Sequence, residues 1–167
     1  MSSREAIQYS FMILLYLVLQ IFFMRNLVLF NYAFCFVYIA GVLILPADIS
    51  RMYLLLIGFG TGFVIDVFSN TFGMHAAATV LIAYVRPFLI QYQMESKGME
   101  RAEVGIRSQG LGAFLSYILP LIFLHHAVLF LMEMNNFGMI LHTLLRITAS
   151  AILTTTVIVL LELFSKR

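Results

Sequence analysis

Apolar runs of nearly span length follow one another through almost the whole chain, broken only by short polar clusters. A bilayer's hydrocarbon core is crossed by a helix of roughly 20 apolar residues. Backbone polar groups in lipid must be satisfied by the protein itself, which admits helices and closed barrels only. The period-two alternation that a barrel needs is missing from the sequence. Composition agrees: of 167 residues, 62% are hydrophobic and 11% charged, whereas a soluble domain has about a quarter of its residues charged.

The expected architecture is an all-α integral membrane protein, one transmembrane domain over 1–167 with six helices in a single bundle. The spans are read at roughly 9–24, 27–45, 53–68, 73–90, 111–132 and 137–164, with a longer loop at 91–110. Arg25-Asn26 makes a tight turn between the first two, and a re-entrant arrangement there stays open. The first run resembles a secretory signal in length but lacks a small-residue cleavage site, so it is read as a retained span. Cys35 is the single cysteine, which rules out an internal disulfide. A net charge of +2 gives no reason to expect nucleic acid.

Six spans place both termini and the second and fourth loops on one side. Arg4, Arg51, Arg86, Lys97, Arg101, Arg107, Lys166 and Arg167 fall there, eight of the ten cations; Arg25 lies on the other side and Arg146 within the sixth span. The positive-inside rule makes the richer side cytoplasmic. In the 91–110 loop Lys97, Arg101 and Arg107 mix with Glu95, Glu100 and Glu103. A solvated extension of the fourth helix with i,i+4 pairs is the preferred reading; a partner-docking surface is the other. Arg86, beside Pro87 where the fourth apolar run stops, is expected to be a snorkelling anchor.

The third span carries the most information. Gly58, Gly62 and Asp66 are four residues apart and share one helix face. Glycines there allow a second helix backbone to approach closely. Gly73, Ala76-Ala77-Ala78 and Ala83 on the fourth span suit that approach. A carboxylate inside a span costs about 2.5–3.5 kcal/mol at the bilayer centre, and somewhat less for Asp66 near the outer end. It serves either as a proton or cation site or as a structural group, paired with a cation or capping the next helix through the turn 69–73; the structural role is preferred. Arg146 is the expected ion-pair partner. An outer-half polar cluster of Asp66, His125 or His126, His142 and Arg146 is geometrically allowed.

Neighbouring helical histidines point roughly 100° apart, and no ligand-forming residue sits at metal spacing beside them, so no metal site is expected. No nucleophile–base arrangement, phosphate loop or carboxylate pair is visible; no catalytic residue and no cofactor is expected.

The stretch 45–89 resembles the rod shape-determining protein family MreD. The residues that carry the likeness are Leu45-Pro46, Gly58, Gly62, Asp66, Ser69, Gly73, Ala76 and Ala83-Tyr84, with Val18-Leu19-Gln20 in the first span also similar. It covers about a quarter of the chain, and Arg146, His125, His126 and His142 lie outside it. The resemblance implies a multi-pass protein of the bacterial cytoplasmic (inner) membrane, with a fold similar to the substrate-binding subunits of ECF transporters. It implies a non-enzymatic role in the cell-wall elongation machinery, with an MreC-like protein, RodA and a penicillin-binding transpeptidase as partners. The alternative is a substrate-binding subunit of a small-molecule or vitamin transporter, with the outer-half cluster lining its pocket. The structural and partner-contact candidates are Gly58, Gly62, Asp66, Ser69, Gly73, Ala76, Ala83, Tyr84, Arg86 and Arg146.

Overall fold

The computed structural model describes residues 3–97, 104–134 and 136–164. Helix α1 (Ser3–Leu19) ends in a π-helical turn, Gln20–Met24. A hairpin of two short antiparallel strands follows, β1 (Val28–Leu29) and β2 (Ala33–Phe34), then a 3-10 turn (Val37–Ile39) and the one-turn helix α2 (Ala40–Leu43). The remaining helices are α3 (Arg51–Ser69), α4 (Met74–Lys97), the short α5 (Ile106–Gln109), α6 (Leu111–Glu133) and α7 (Ile140–Phe164), the last entered through a 3-10 turn at Phe137–Met139.

Five helices are long and apolar enough to cross a membrane: Arg4–Met24, Arg51–Ser69, Met74–Ser96, Leu111–Glu133 and Phe137–Phe164. This is the architecture of a multi-pass membrane protein. Its helix ends fall close to those read from the sequence, with two departures: α1 begins at Ser3 rather than near residue 9, and α4 runs through Pro87 to Lys97, so Arg86-Pro87 does not stop it. The extension expected at 91–110 is therefore helical at its start, where Gln91 Nε2 donates to Glu95 Oε1 at 2.9 Å. Glu100, Arg101 and Glu103, like Lys166 and Arg167, lie outside the described residues.

The expected helix at 27–45 is replaced by an irregular segment. It turns back at Arg25-Asn26 and runs along α1. Cys35 and Tyr38 meet Gln20, and Gly41 packs on Ile13 and Tyr16. Val37 to Leu45 are buried throughout, and Ile39, Ala40, Val42 and Leu43 have no exposed surface. Non-helical backbone at membrane depth is tolerated where protein encloses it and supplies its hydrogen bonds. Four helices, α1, α4, α6 and α7, do so here.

From α7, Ser150 Oγ accepts from Phe34 N (2.9 Å) and donates to Tyr32 O (3.4 Å). One turn on, Thr154 Oγ1 accepts from Phe36 N (3.1 Å) and lies 3.4 Å from Phe34 O. Four helical residues rise about 6 Å and two strand residues about 6.6 Å. Hydroxyls at i and i+4 of a helix can therefore face alternate residues of an extended chain, much as a neighbouring strand would. From the π turn of α1, Gln20 Nε2 donates to Cys35 O at 3.0 Å.

At the other end of the segment, Tyr117 donates to Leu43 O (2.6 Å). Arg86 donates through Nε to Leu43 O (3.3 Å) and Tyr117 Oη (2.8 Å), through Nη1 to Pro46 O (3.3 Å), and through Nη2 to Leu45 O. Arg86 is fully buried, which corrects its expected role as a snorkelling anchor. It caps the carbonyls that close α2, and it no longer counts among the cations facing an interface.

The α3–α4 pair follows the sequence reading. A Cβ on Gly62 would lie 2.6 Å from Ala76 Cα, and one on Gly58 3.1 Å from Ala83 Cβ. The small residues thus bring the two backbones into contact, as close helix packing in membranes requires.

Candidate functional site

Asp66 ends the glycine stripe and is 5% exposed. Its Oδ1 accepts from Thr71 Oγ1 (2.6 Å) and His75 N (3.0 Å), and its Oδ2 from Ala76 N (2.8 Å). These two amides belong to the first turn of α4, whose N–H groups have no partner within the helix. The turn between the helices is shaped for this. Asn70 takes a left-handed conformation (φ 56°) with its N–H on Asp66 O, and Gly73 also has positive φ (83°). Asp66 is thus the cap of α4, the structural alternative preferred from the sequence. The expected Asp66–Arg146 pair does not form.

Arg146 instead donates to Glu133 Oε2 at 3.1 Å, with its guanidinium 4.8 Å from the Phe34 ring centroid and 4.5 Å from that of Phe130. It has a nearer carboxylate across the α6–α7 turn, and aromatic faces attract a guanidinium. Among the remaining candidates, Ala83 meets Gly58, while Ser69 is half-buried at the end of α3. Tyr84 is exposed, its ring 5.7 Å from that of Phe88.

The outer-half cluster divides. His142 leans on Tyr32, with ring centroids 5.2 Å apart. Glu133 and Arg146 stand at a cavity of about 80 Å³ lined also by Phe34, Phe36, Phe130 and His75. His125 and His126 lie deeper, both fully buried. The Tyr38 hydroxyl joins three side chains there: His125 Nε2 at 2.7 Å, Thr79 Oγ1 at 3.0 Å and His75 Nδ1 at 3.1 Å. His126 Nδ1 bonds Ile122 O (2.7 Å) and its Nε2 lies 3.2 Å from Thr154 Oγ1. The Phe36 ring packs against all three imidazoles, at 5.1 Å from His75, 5.9 Å from His125 and 5.3 Å from His126. His75 alone of the three also lines the cavity.

Tyr38, His75 and Thr79 escaped the sequence reading. A signal was present: 75, 79 and 86 repeat close to helical period and put three polar residues on one stripe of an apolar helix. Ser150 and Thr154 form a similar stripe on α7. Tyr38 had no such signal, because its placement depends on the irregular segment. Among the described residues, no group of three or more His, Cys, Asp and Glu side chains is arranged to hold a metal ion.

No family model, no curated protein and no solved structure matches this chain.

Proposed function

We propose that the chain is a non-enzymatic scaffold of the bacterial cell-wall elongation machinery, embedded in the cytoplasmic membrane and acting through helix contacts with an MreC-like protein and, through it, with peptidoglycan synthases. The support is the stretch 45–89, whose MreD-like residues are neighbours in the fold. The Leu45 and Pro46 carbonyls hold Arg86, Gly58 and Gly62 seat α4, and Asp66 caps it. A carboxylate filled by three internal donors suits a folding device better than a reactive centre. In this reading the irregular segment is the second of six crossings, and both chain ends lie in the cytoplasm, as the distribution of cations suggests. Lipid-facing aromatic side chains such as Phe59 and Phe63 on α3 are available to partner helices.

The test is affinity isolation of the full chain from membranes in mild detergent, paired with depletion in the source cells. Recovery of an MreC-like protein and rounding of rod-shaped cells are expected. Normal rods after full depletion would sink the proposal.

The transporter reading is favoured by the cavity, but about 80 Å³ is far below the roughly 300–1,000 Å³ of pockets that enclose drug-sized ligands. Vitamins should therefore leave the thermal stability of the purified chain unchanged.

A further inference from the structure

The phenol at the centre of the bundle has one proton and three polar neighbours. Thr79 Oγ1 donates to His75 O at 2.7 Å, so its contact with Tyr38 needs the phenolic proton. If Tyr38 donates there, His125 must donate from Nε2, and its Nδ1 is bare. If Tyr38 donates to His125 Nε2, the shortest of its contacts, the imidazole proton sits on Nδ1. In both arrangements His125 Nδ1 has no hydrogen-bond partner among the described residues. Buried polar atoms are nearly always satisfied, and an exception calls for an explanation. Imidazoles linked at membrane depth are a recurring form of proton relay.

We propose that His75, Tyr38 and His125 form a proton-accepting relay that opens to the aqueous phase through the cavity lined by the start of α4, the end of α6, Arg146 of α7 and the irregular segment. A proton from water in the cavity adds to the His75 ring nitrogen remote from Tyr38. The Nδ1 proton of His75 passes to the Tyr38 oxygen, and the phenolic proton passes to His125 Nε2. His125, already carrying a proton on Nδ1, becomes the imidazolium. His75 and Tyr38 finish neutral, with the hydroxyl turned to donate to His75 Nδ1. One proton enters and none leaves.

Charged and titratable groups surround this relay on every packed element. Asp66 comes from α3 and His126 and Glu133 from α6. Arg146 comes from α7 and Cys35 from the irregular segment. Arg146 and Glu133 neutralise one another at the cavity, and Asp66 is occupied by the α4 cap. Beyond His125 the path closes. Ile118, Leu121 and Ile122 fill α6 down to Tyr117 and have no exposed surface. The relay is thus a proton-binding site that reads the acidity of one aqueous phase, with no conduit to the other.

The experiment is imidazole nitrogen NMR on the full chain in phospholipid nanodiscs, with isotope-labelled histidine. Spectra are taken from mildly alkaline to acidic pH and assigned with His75→Asn and His125→Asn. His125 should pass from a neutral to an imidazolium signature, while His75 stays neutral and the protein stays folded. Tyr38→Phe should abolish the His125 step and leave the added proton on His75, which then shows the imidazolium signature. A His125 signal that remains neutral throughout overturns the proposal from the unmodified protein alone, whatever the variants do. A Tyr38→Phe protein in which His125 titrates as before also overturns it.

Discussion

Two regions of the bundle solve the same problem in opposite ways. The α3–α4 pair satisfies its backbone by helix formation, and a carboxylate nine and ten residues upstream meets two amides left over at the second helix's start. The segment from Tyr32 to Pro46 has little regular structure and takes hydrogen bonds from side chains up to 120 residues away. The first region is self-sufficient and depends on close backbone contact. The second depends on donors and acceptors fixed on other helices. In lipid, where water cannot stand in, that dependence should show in stability measurements on variants.

The largest effect is expected from Arg86→Leu. It strips the Leu45 and Pro46 carbonyls of their donor and leaves Leu43 O to Tyr117 alone, and hydrogen bonds to a charged group are worth about 1.5–3 kcal/mol each. Loss of folded material in detergent size-exclusion profiles is expected; a normal, monodisperse peak would show that the segment does not need its cap. In the self-sufficient region Gly62→Ala should cost about 3 kcal/mol, because Ala76 backbone must move. Gly58→Ala, facing a methyl group, should cost about 1 kcal/mol. Equal melting temperatures for the two would contradict the contact geometry.

Thr154→Val keeps the shape and removes the hydroxyl facing Phe36 N. A loss of about 1–2 kcal/mol is expected in thermal unfolding, and none if water enters to replace it. The smallest effect belongs to Glu133→Gln, since a pair half-open to solvent contributes roughly 0–1 kcal/mol. Reversing the charges of Asp66 and Arg146 together should not rescue the single reversals; rescue would restore the pairing read from sequence.

The legibility of the two regions differs for the same reason as their energetics. Gly58, Gly62 and Asp66 share a face by helical period, so their packing and capping roles follow from local spacing. Residues 27–45 are as apolar as any span, and hydropathy cannot separate a helix in lipid from an extended chain buried in protein. The distinction lies in Gln20, Tyr117, Ser150 and Thr154, whose meaning appears only once their helices surround the segment. The role of Arg86 is hidden for that reason: an arginine near the end of an apolar run looks like an anchor until carbonyls are found around it. The partner of Arg146 is hidden in the same way: Glu133 lies 13 residues earlier, and only the turn between α6 and α7 brings the two together.

The irregular segment has a consequence for how the protein is made. Its backbone is synthesised early, but Tyr117, Ser150 and Thr154 emerge from the ribosome long afterwards. A freshly inserted chain ending before α6 offers Phe34, Phe36 and Leu43 none of these partners. In lipid its economical state is the continuous helix that hydropathy alone suggests. Biogenesis would then end with an unwinding: the last two helices dock and draw a provisional helix out into its final path. A fragment ending near residue 100, studied in micelles, should retain that earlier helical form.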